Sequence, residues 1–192
     1  GNSDSSFYFS SDTVDYISAD ASEFPSGNNP RTISVWYKAQ EINSDGISTQ
    51  LLGYGGANAF PTNCGESFII NFENPDISGG GIGLYEVQGH CQNFRRTTDI
   101  PTPLNNTWHH IAVTFDGDVL KFFNNGNLIS TYSGVEMSTT VAGKLFCIGR
   151  ETNETGNAAY THQDYKGFTG SIDDVVIWNR ALTDQEIANF YV

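Results

Sequence analysis

Ile172, Val175, Val176, Ile177 and Trp178 form a β-branched and aromatic run near the end of the chain, the composition of a central strand. Thr183 and Glu186 follow it and fit a capping box, the Thr hydroxyl meeting an orphan amide and the Glu reaching back. A short helix is therefore expected after the strand, packing Ile187 and Phe190 on the body of the protein. Leu145 to Gly149 reads as another strand, because Phe146 and Ile148 alternate with Cys147 and Gly149. Between them the Gly-, Asn- and Thr-rich stretch Glu151 to Lys166 has the composition of a loop.

The rest of the chain repeats this period-two pattern. Ile33, Val35 and Tyr37 alternate with Ser34, Trp36 and Lys38, so one set faces a core and the other a neighbour or solvent. Short strands are also read at Leu51–Tyr54, Ser67–Phe72 and Ile82–Val87, and two more around a turn at Ser11-Asp12. Trp108–Phe115 and Val119–Phe123 form a hairpin across Asp116-Gly117, and Asn124-Asn125-Gly126 turns the chain into Leu128–Tyr132. Gln88 to Asn106 shows no steady period. With about a dozen strands and no internal repeat or low-complexity linker, the 192 residues read as one all-β domain over 1–192, a two-sheet antiparallel sandwich with a short C-terminal helix.

Three segments in order carry a family resemblance: T-I-S-V-W-Y-K-A at 32–39, T-W-H-H-I-A-V-T-F-D-G at 107–117 followed by F-F-N-N-G-N-L-I at 122–129, and G-S-I-D-D-V-V-I-W-N-R-A-L-T-D-Q-E-I at 170–187, preceded by I-G-R-E at 148–151. Together they resemble the laminin-G-like and pentraxin-like group of concanavalin A-type jelly rolls, over most of the chain. The resemblance implies a jelly-roll β-sandwich. It also implies a structural calcium that pins the N-terminal segment to the last strand, held by Asp174, its neighbour Asp173, and carbonyls from the Asp12 region and the Gly27-Asn28 loop. Hard cations take six to eight oxygens, which such a set could supply. A second, ligand-linked calcium is implied at Glu151, Asn153 and Gln163, with Glu66 as the remaining acid. Here the family's Asp-Asn pair reads Glu66-Ser67, and Trp36 stands where one of its cysteines would be.

Nine Lys and Arg against 22 Asp and Glu leave a formal charge of −13 and a pI near 4.4. No basic stripe exists to neutralise phosphates, so nucleic acid is not an expected partner. No apolar run approaches the ~18 to 20 residues of a membrane helix, so no membrane insertion is expected. Gly1-Asn2-Ser3 reads as the trimmed start of an excised domain. Cys64 and Cys91 lie in polar, Gly-rich stretches and Cys147 in a strand; the expectation is a Cys64–Cys91 disulfide with Cys147 free, although sequence permits three pairings or none.

Loop aromatics could stack on sugar rings, whose C–H faces are apolar while their hydroxyls need planar polar partners. The pool is Tyr54, Phe60, Tyr85, Phe94, Tyr160 and Tyr165, with Phe60, Phe94 and Tyr160 favoured by their loop-like flanks. Arg95 and His90 are further ligand-binding candidates. His109-His110 alternate in direction on a strand, which suits packing better than a shared metal. Glycanases of this fold class place two carboxylates about 5 Å apart on one strand, seen as E-x-D-x-x-E. No such triplet occurs at any Glu from Glu23 to Glu186, nor G-x-S-x-G or H-E-x-x-H. The expected function is a non-catalytic, calcium-stabilised, extracellular carbohydrate-binding or adhesion module, secreted or at the cell surface, with a cell-surface or matrix protein as a further partner. The alternatives are a structural or protein-binding domain without a sugar site, and a glycan-cleaving enzyme of the same fold.

Overall fold

The computed structural model describes residues 6–10, 13–41, 49–56, 67–73, 84–88, 94–96, 106–150, 152, 156–159 and 167–191, with backbone alone at 41, 73, 84–88 and 94–96. Two six-stranded antiparallel sheets face one another. Sheet A runs β1 (Phe7–Phe9), β12 (Thr169–Trp178), β3 (Arg31–Glu41), β8 (His109–Phe115), β9 (Leu120–Asn124), β10 (Asn127–Tyr132). Sheet B runs β2 (Ile17–Asp20), β11 (Leu145–Ile148), β4 (Thr49–Gly55), β5 (Ser67–Glu73), β6 (Leu84–Gln88), β7 (Phe94–Arg96). The jelly-roll reading holds. β7 falls in a stretch that shows no period, because three residues are too few to display one.

Alternation decides what lies between the sheets. Ile33, Val35, Tyr37, Ile111, Val113 and Phe115 from sheet A, with Leu52, Phe68, Ile70 and Phe72 from sheet B, are all fully buried in one apolar cluster. Removing each large side chain of this kind from water contributes roughly 1.5–3 kcal/mol. Tyr54, which closes the strand read at Leu51–Tyr54 and also stands in the pool of sugar-stacking candidates, sits 1% exposed inside β4 and so belongs to the core. Gly53 is part of the same strand: a Cβ there would lie 2.8 Å from the Ile69 side chain.

Arg31, 0% exposed, opens β3 and lies within this core. Nε donates to the Asn29 carbonyl at 3.0 Å, Nη2 to the Gly27 carbonyl at 2.6 Å, and Nη1 to Thr139 Oγ1 at 2.8 Å and Tyr54 Oη at 3.2 Å. The guanidinium also lies over the rings of Phe68 and Phe115, 5.3 and 5.8 Å from their centroids. Tyr54 in turn donates to the Pro25 carbonyl, and burial pushes its phenol up to about 12. One side chain thus joins both sheets to the corner formed by residues 25–29.

On the outer face of sheet A the helix α1 (Asp184–Phe190) has the expected cap. Thr183 Oγ1 accepts from the Glu186 amide, and the Glu186 carboxylate accepts from the Thr183 amide. Arg180, then the Thr183 amide and hydroxyl, hold the Glu186 carboxyl down to about 2. Ile187 and Leu182 bury against Ala112 and Phe123. Phe190 departs from expectation: it remains 50% exposed and meets only the flank of Trp178, centroids 5.1 Å apart. At the Asn125-Gly126 turn both residues have positive φ, 48° and 74°, the type I′ geometry that Asn-Gly favours. A Cβ at Gly126 would also come within 2.9 Å of Tyr191.

Arg31→Met is expected to destabilise the fold by about 3 kcal/mol or more, because carbonyls and a hydroxyl lose buried donors worth ~1–3 kcal/mol each. Urea unfolding of variant and parent checks this. A loss under about 1 kcal/mol would show that the guanidinium does not hold the corner.

Candidate functional site

Few of the residues singled out by sequence fall where the structure describes side chains. Asp12, Phe60, Cys64, Glu66, His90, Cys91, Glu151, Asn153, Tyr160, Gln163 and Tyr165 lie outside the described residues. Tyr85 is placed by its backbone in β6, and Phe94 and Arg95 in β7. Cys147 is buried and free among the described residues, and burial raises its thiol to about 11.

The structure divides the first expected calcium set in two. Asp173 pairs in register with Trp36, whereas Gly27 and Asn28 precede Arg31, where β3 begins. Five residues of extended strand separate Trp36 from Arg31, about 16 Å at ~3.3 Å per residue. The corner oxygens are also engaged. The Gly27 carbonyl accepts from Arg31, and Asn28 Oδ1 accepts from the Met137 amide at 2.8 Å while its Nδ2 donates to the Gly117 carbonyl at 2.6 Å. The Gly27 carbonyl and the Asn28 side chain thus serve the corner, while the Asn28 backbone carbonyl accepts none of these bonds. Among the described residues no group of three or more His, Cys, Asp or Glu could hold a metal.

Asp173 and Asp174 themselves lie at a β-bulge, where the register with β3 shifts between Asp173 and Val176. Asp174 has φ 47° in mid-strand and an exposed side chain, and its amide donates to Asp173 Oδ1 at 2.9 Å. Non-Gly residues held in the left-handed region cost of order 1–3 kcal/mol and cluster at functional sites.

His110 lies on the outer face of sheet A, 1% exposed, below Trp36 and Tyr191. Its Nε2 lies 2.6 Å from Ser34 Oγ, and its Nδ1 has no partner among the described residues. Among the described residues no third group orients Ser34 and His110 for nucleophilic catalysis. His109 stacks instead on Tyr37 from the opposite side of the strand. The two rings diverge, as alternation requires, and share no metal.

Two other features were not read from sequence. Gln50 and Asn71 stand opposite one another on β4 and β5, each 3% exposed, and neither Gln50 Oε1 nor Asn71 Oδ1 has a partner among the described residues. Both atoms are sealed from solvent, so neither is open to a ligand in this conformation. A pocket of about 490 Å³ lies between the β8–β9 hairpin and α1. Its charged groups pair with one another: Lys121 with Asp184 at 2.7 Å, and Asp116 with the amides of Asp118 and Val119.

A family model described as the concanavalin A-like lectin/glucanases superfamily matches residues 11–188. The chain belongs to that laminin-G-like superfamily. Among curated proteins it is similar to the rat and mouse forms of sushi, von Willebrand factor type A, EGF and pentraxin domain-containing protein 1. Identity to the rat protein (Rattus norvegicus) is 24% over 95 residues, 48% of this chain and 3% of that protein. To the mouse protein (Mus musculus) it is 23% over 133 residues, 63% of this chain and 4% of that protein. Three solved structures share its fold. The CBM40 of Ruminococcus gnavus IT-sialidase bound to α2,3 sialyllactose has a TM-score of 0.65 and 17% identity over 97% of this chain and 96% of its own. Domain 4 of AbnA, a GH43 extracellular arabinanase from Geobacillus stearothermophilus in complex with arabinotriose, has 0.64 and 18% over 97% and 76%. The heptameric SAP-like pentraxin of Limulus polyphemus has 0.62 and 15% over 92% and 75%. No helix among the described residues is long and apolar enough to cross a membrane.

Burial pushes the His110 imidazole down to about 4, against 6.5 for a free histidine. Between those values the unfolded chain binds the proton that the fold excludes. Stability is therefore complete above about pH 6.5 and falls as pH drops toward 4, by as much as ~3 kcal/mol. Urea midpoints at pH 7, 5.5 and 4.5 are expected to decline in the parent and to decline less in His110→Gln. Equal declines would assign the acid sensitivity to other groups.

Proposed function

We propose that this chain is a non-catalytic carbohydrate-binding module of a larger secreted or surface protein. The observation that carries this reading is the similarity to a free-standing module of the same size. The fold overlaps nearly the whole of the IT-sialidase CBM40, solved with a sialyllactose, and most of the arabinanase domain solved with arabinotriose. The sequence adds that no E-x-D-x-x-E triplet supplies the strand carboxylates of a glycanase. The rat and mouse relatives, whose name includes pentraxin, EGF and von Willebrand factor type A domains, support an extracellular setting and the role of one module among many.

Calcium remains part of the proposal, in a narrower form. The Gly27 carbonyl and the Asn28 side chain already serve the corner, and Asp174 at the bulge is the described residue best placed to offer a carboxylate. The strained φ of Asp174 supports this, since a strained position is kept where it serves something. The second expected set, Glu151, Asn153, Gln163 and Glu66, stands on the resemblance to pentraxins.

A glycan array probed with the full chain, in calcium and in excess chelator, tests the reading directly; binding to no glycan in either buffer would reject it in favour of a structural or protein-binding domain. Asp174→Gly separates strain from metal. In chelator the variant is expected to be as stable as the parent or up to ~1 kcal/mol more so, because Gly accepts positive φ. In calcium the parent is expected to gain stability, about 2.7 kcal/mol at a hundredfold excess over Kd, and the variant to gain less. Equal calcium responses in thermal unfolding would remove Asp174 from any ion site.

A further inference from the structure

Among the described residues the helix covers only part of the outer face of sheet A, and the remainder has the chemistry of a ligand platform. Register lays that face out in transverse rows. Trp178, Thr32, Thr114 and Lys121 form one, and Val176, Ser34, Ala112 and Phe123 the next. Leu182 and Ile187 sit over Ala112 and Phe123, and the Leu182 amide is anchored to Thr32 Oγ1 at 2.9 Å. The third row, Asp173, Trp36 and His110, is reached only by Tyr191, which stacks on Trp36 with centroids 5.5 Å apart and 12° between planes. Over the fourth row, Tyr8, Ser171 and Lys38, the helix is absent. Lys38 Nζ lies 5.5 Å above the ring of Trp108, which extends that row onto the start of β8.

From these two rows we infer a sheet-face binding site for a neutral oligosaccharide, resting on the carbohydrate-binding reading above. Rings stand open at its two ends: Tyr8 is 56% exposed and Tyr191 42% exposed. The Tyr8 hydroxyl donates to Gln40 Oε1 at 3.1 Å, which leaves its ring face to solvent, while Trp36 under Tyr191 and Trp108 at the far end of the row are half-buried. Asp173 uses Oδ1 for the Asp174 amide and keeps Oδ2 without a donor among the described residues. Lys38 has no carboxylate partner among them either. Apolar rings interleaved with a few unsatisfied donors and acceptors are what a sugar needs: C–H faces to stack and hydroxyls to bond. One carboxylate and one ammonium cancel, so the strip selects neither anion nor cation. Three strand spacings separate β1 from β8, about 14 Å at ~4.8 Å each, room for roughly a disaccharide or trisaccharide. The loop candidates Phe60, Phe94 and Tyr160 play no part in it.

The test titrates the full chain with arabinotriose, xylotriose and maltotriose as neutral probes and sialyllactose as the acidic one, following heat and tryptophan emission. Tyr8→Ala and Lys38→Ala alter exposed or half-exposed side chains, and unchanged melting temperatures would confirm that both variants fold. At least one neutral trisaccharide is expected to bind and shift the emission of Trp36 or Trp108, with affinity tenfold or more weaker in both variants. Binding that is unchanged in both variants but lost in Phe94→Ala would place the site on sheet B, overturning the platform and leaving the carbohydrate reading intact. Binding of sialyllactose alone would also overturn it. Binding of none of the four sugars, on a glycan-positive array, would overturn the platform without touching the broader reading; a negative array would overturn both.

Discussion

A buried cation without a carboxylate holds this sandwich closed. Arg31 has no solvent exposure, and its partners are two backbone carbonyls, a threonine hydroxyl and a tyrosine hydroxyl. Moving a charge out of water is costly unless dipoles replace the solvent, and the bent segment before β3 supplies them by turning its carbonyls inward. That bend requires positive φ at Gly27, and the Asn28 side chain clamps it to Gly117 and Met137. The Gly27 and Asn29 carbonyls are thereby committed to the guanidinium. A lysine could keep the charge but could not reach four acceptors in these directions from one nitrogen.

With the sheets so joined, the two faces of sheet A have different fates. The inner face is apolar and sealed. The outer face carries polar and aromatic residues, and the short capped helix covers only the end nearest Trp178. The helix is seven residues long, too short to be stable alone in water, so its position depends on Ile187 and Leu182 finding Ala112 and Phe123. Its length sets the limit of coverage. Tyr191 is its last reach, placed over Trp36 and His110, and no described residue of the helix extends beyond it. The same geometry that buries His110 and makes it acid-sensitive leaves Tyr8 and Lys38 in solvent.

The bulge at Asp173–Asp174 links these themes. By inserting one residue into β12 it keeps two adjacent carboxylates off the core face, where simple alternation would turn one inward, and gives the inward position to Val175. Asp173 stays in the row with Trp36, and Asp174 is turned outward in a strained conformation. One serves the sheet-face platform, and the other is the point at which calcium stabilisation is proposed.

Much of the architecture was legible in the residues themselves. The alternation Ile33, Val35, Tyr37 specified an inward face, Asp116-Gly117 and Asn125-Gly126 specified hairpins, and Thr183 with Glu186 specified the helix start, because each signal is local and acts through the backbone of its own segment. What the chain could not declare were relations between segments. Tyr54 reads both as a strand end and as a ligand-pool aromatic until pairing with Phe68 and burial place it in the core. Nothing local to Gly27 and Asn28 announces that Arg31, Gly117 and Met137 bond to them. Tyr8, Lys38, Trp108 and Trp36 are scattered over a hundred positions, and only strand register across β1, β12, β3 and β8 brings them into adjoining rows. Local hydrogen-bonding and period are written in sequence; which side chains share a face, and which of them the helix leaves uncovered, are set by register and packing.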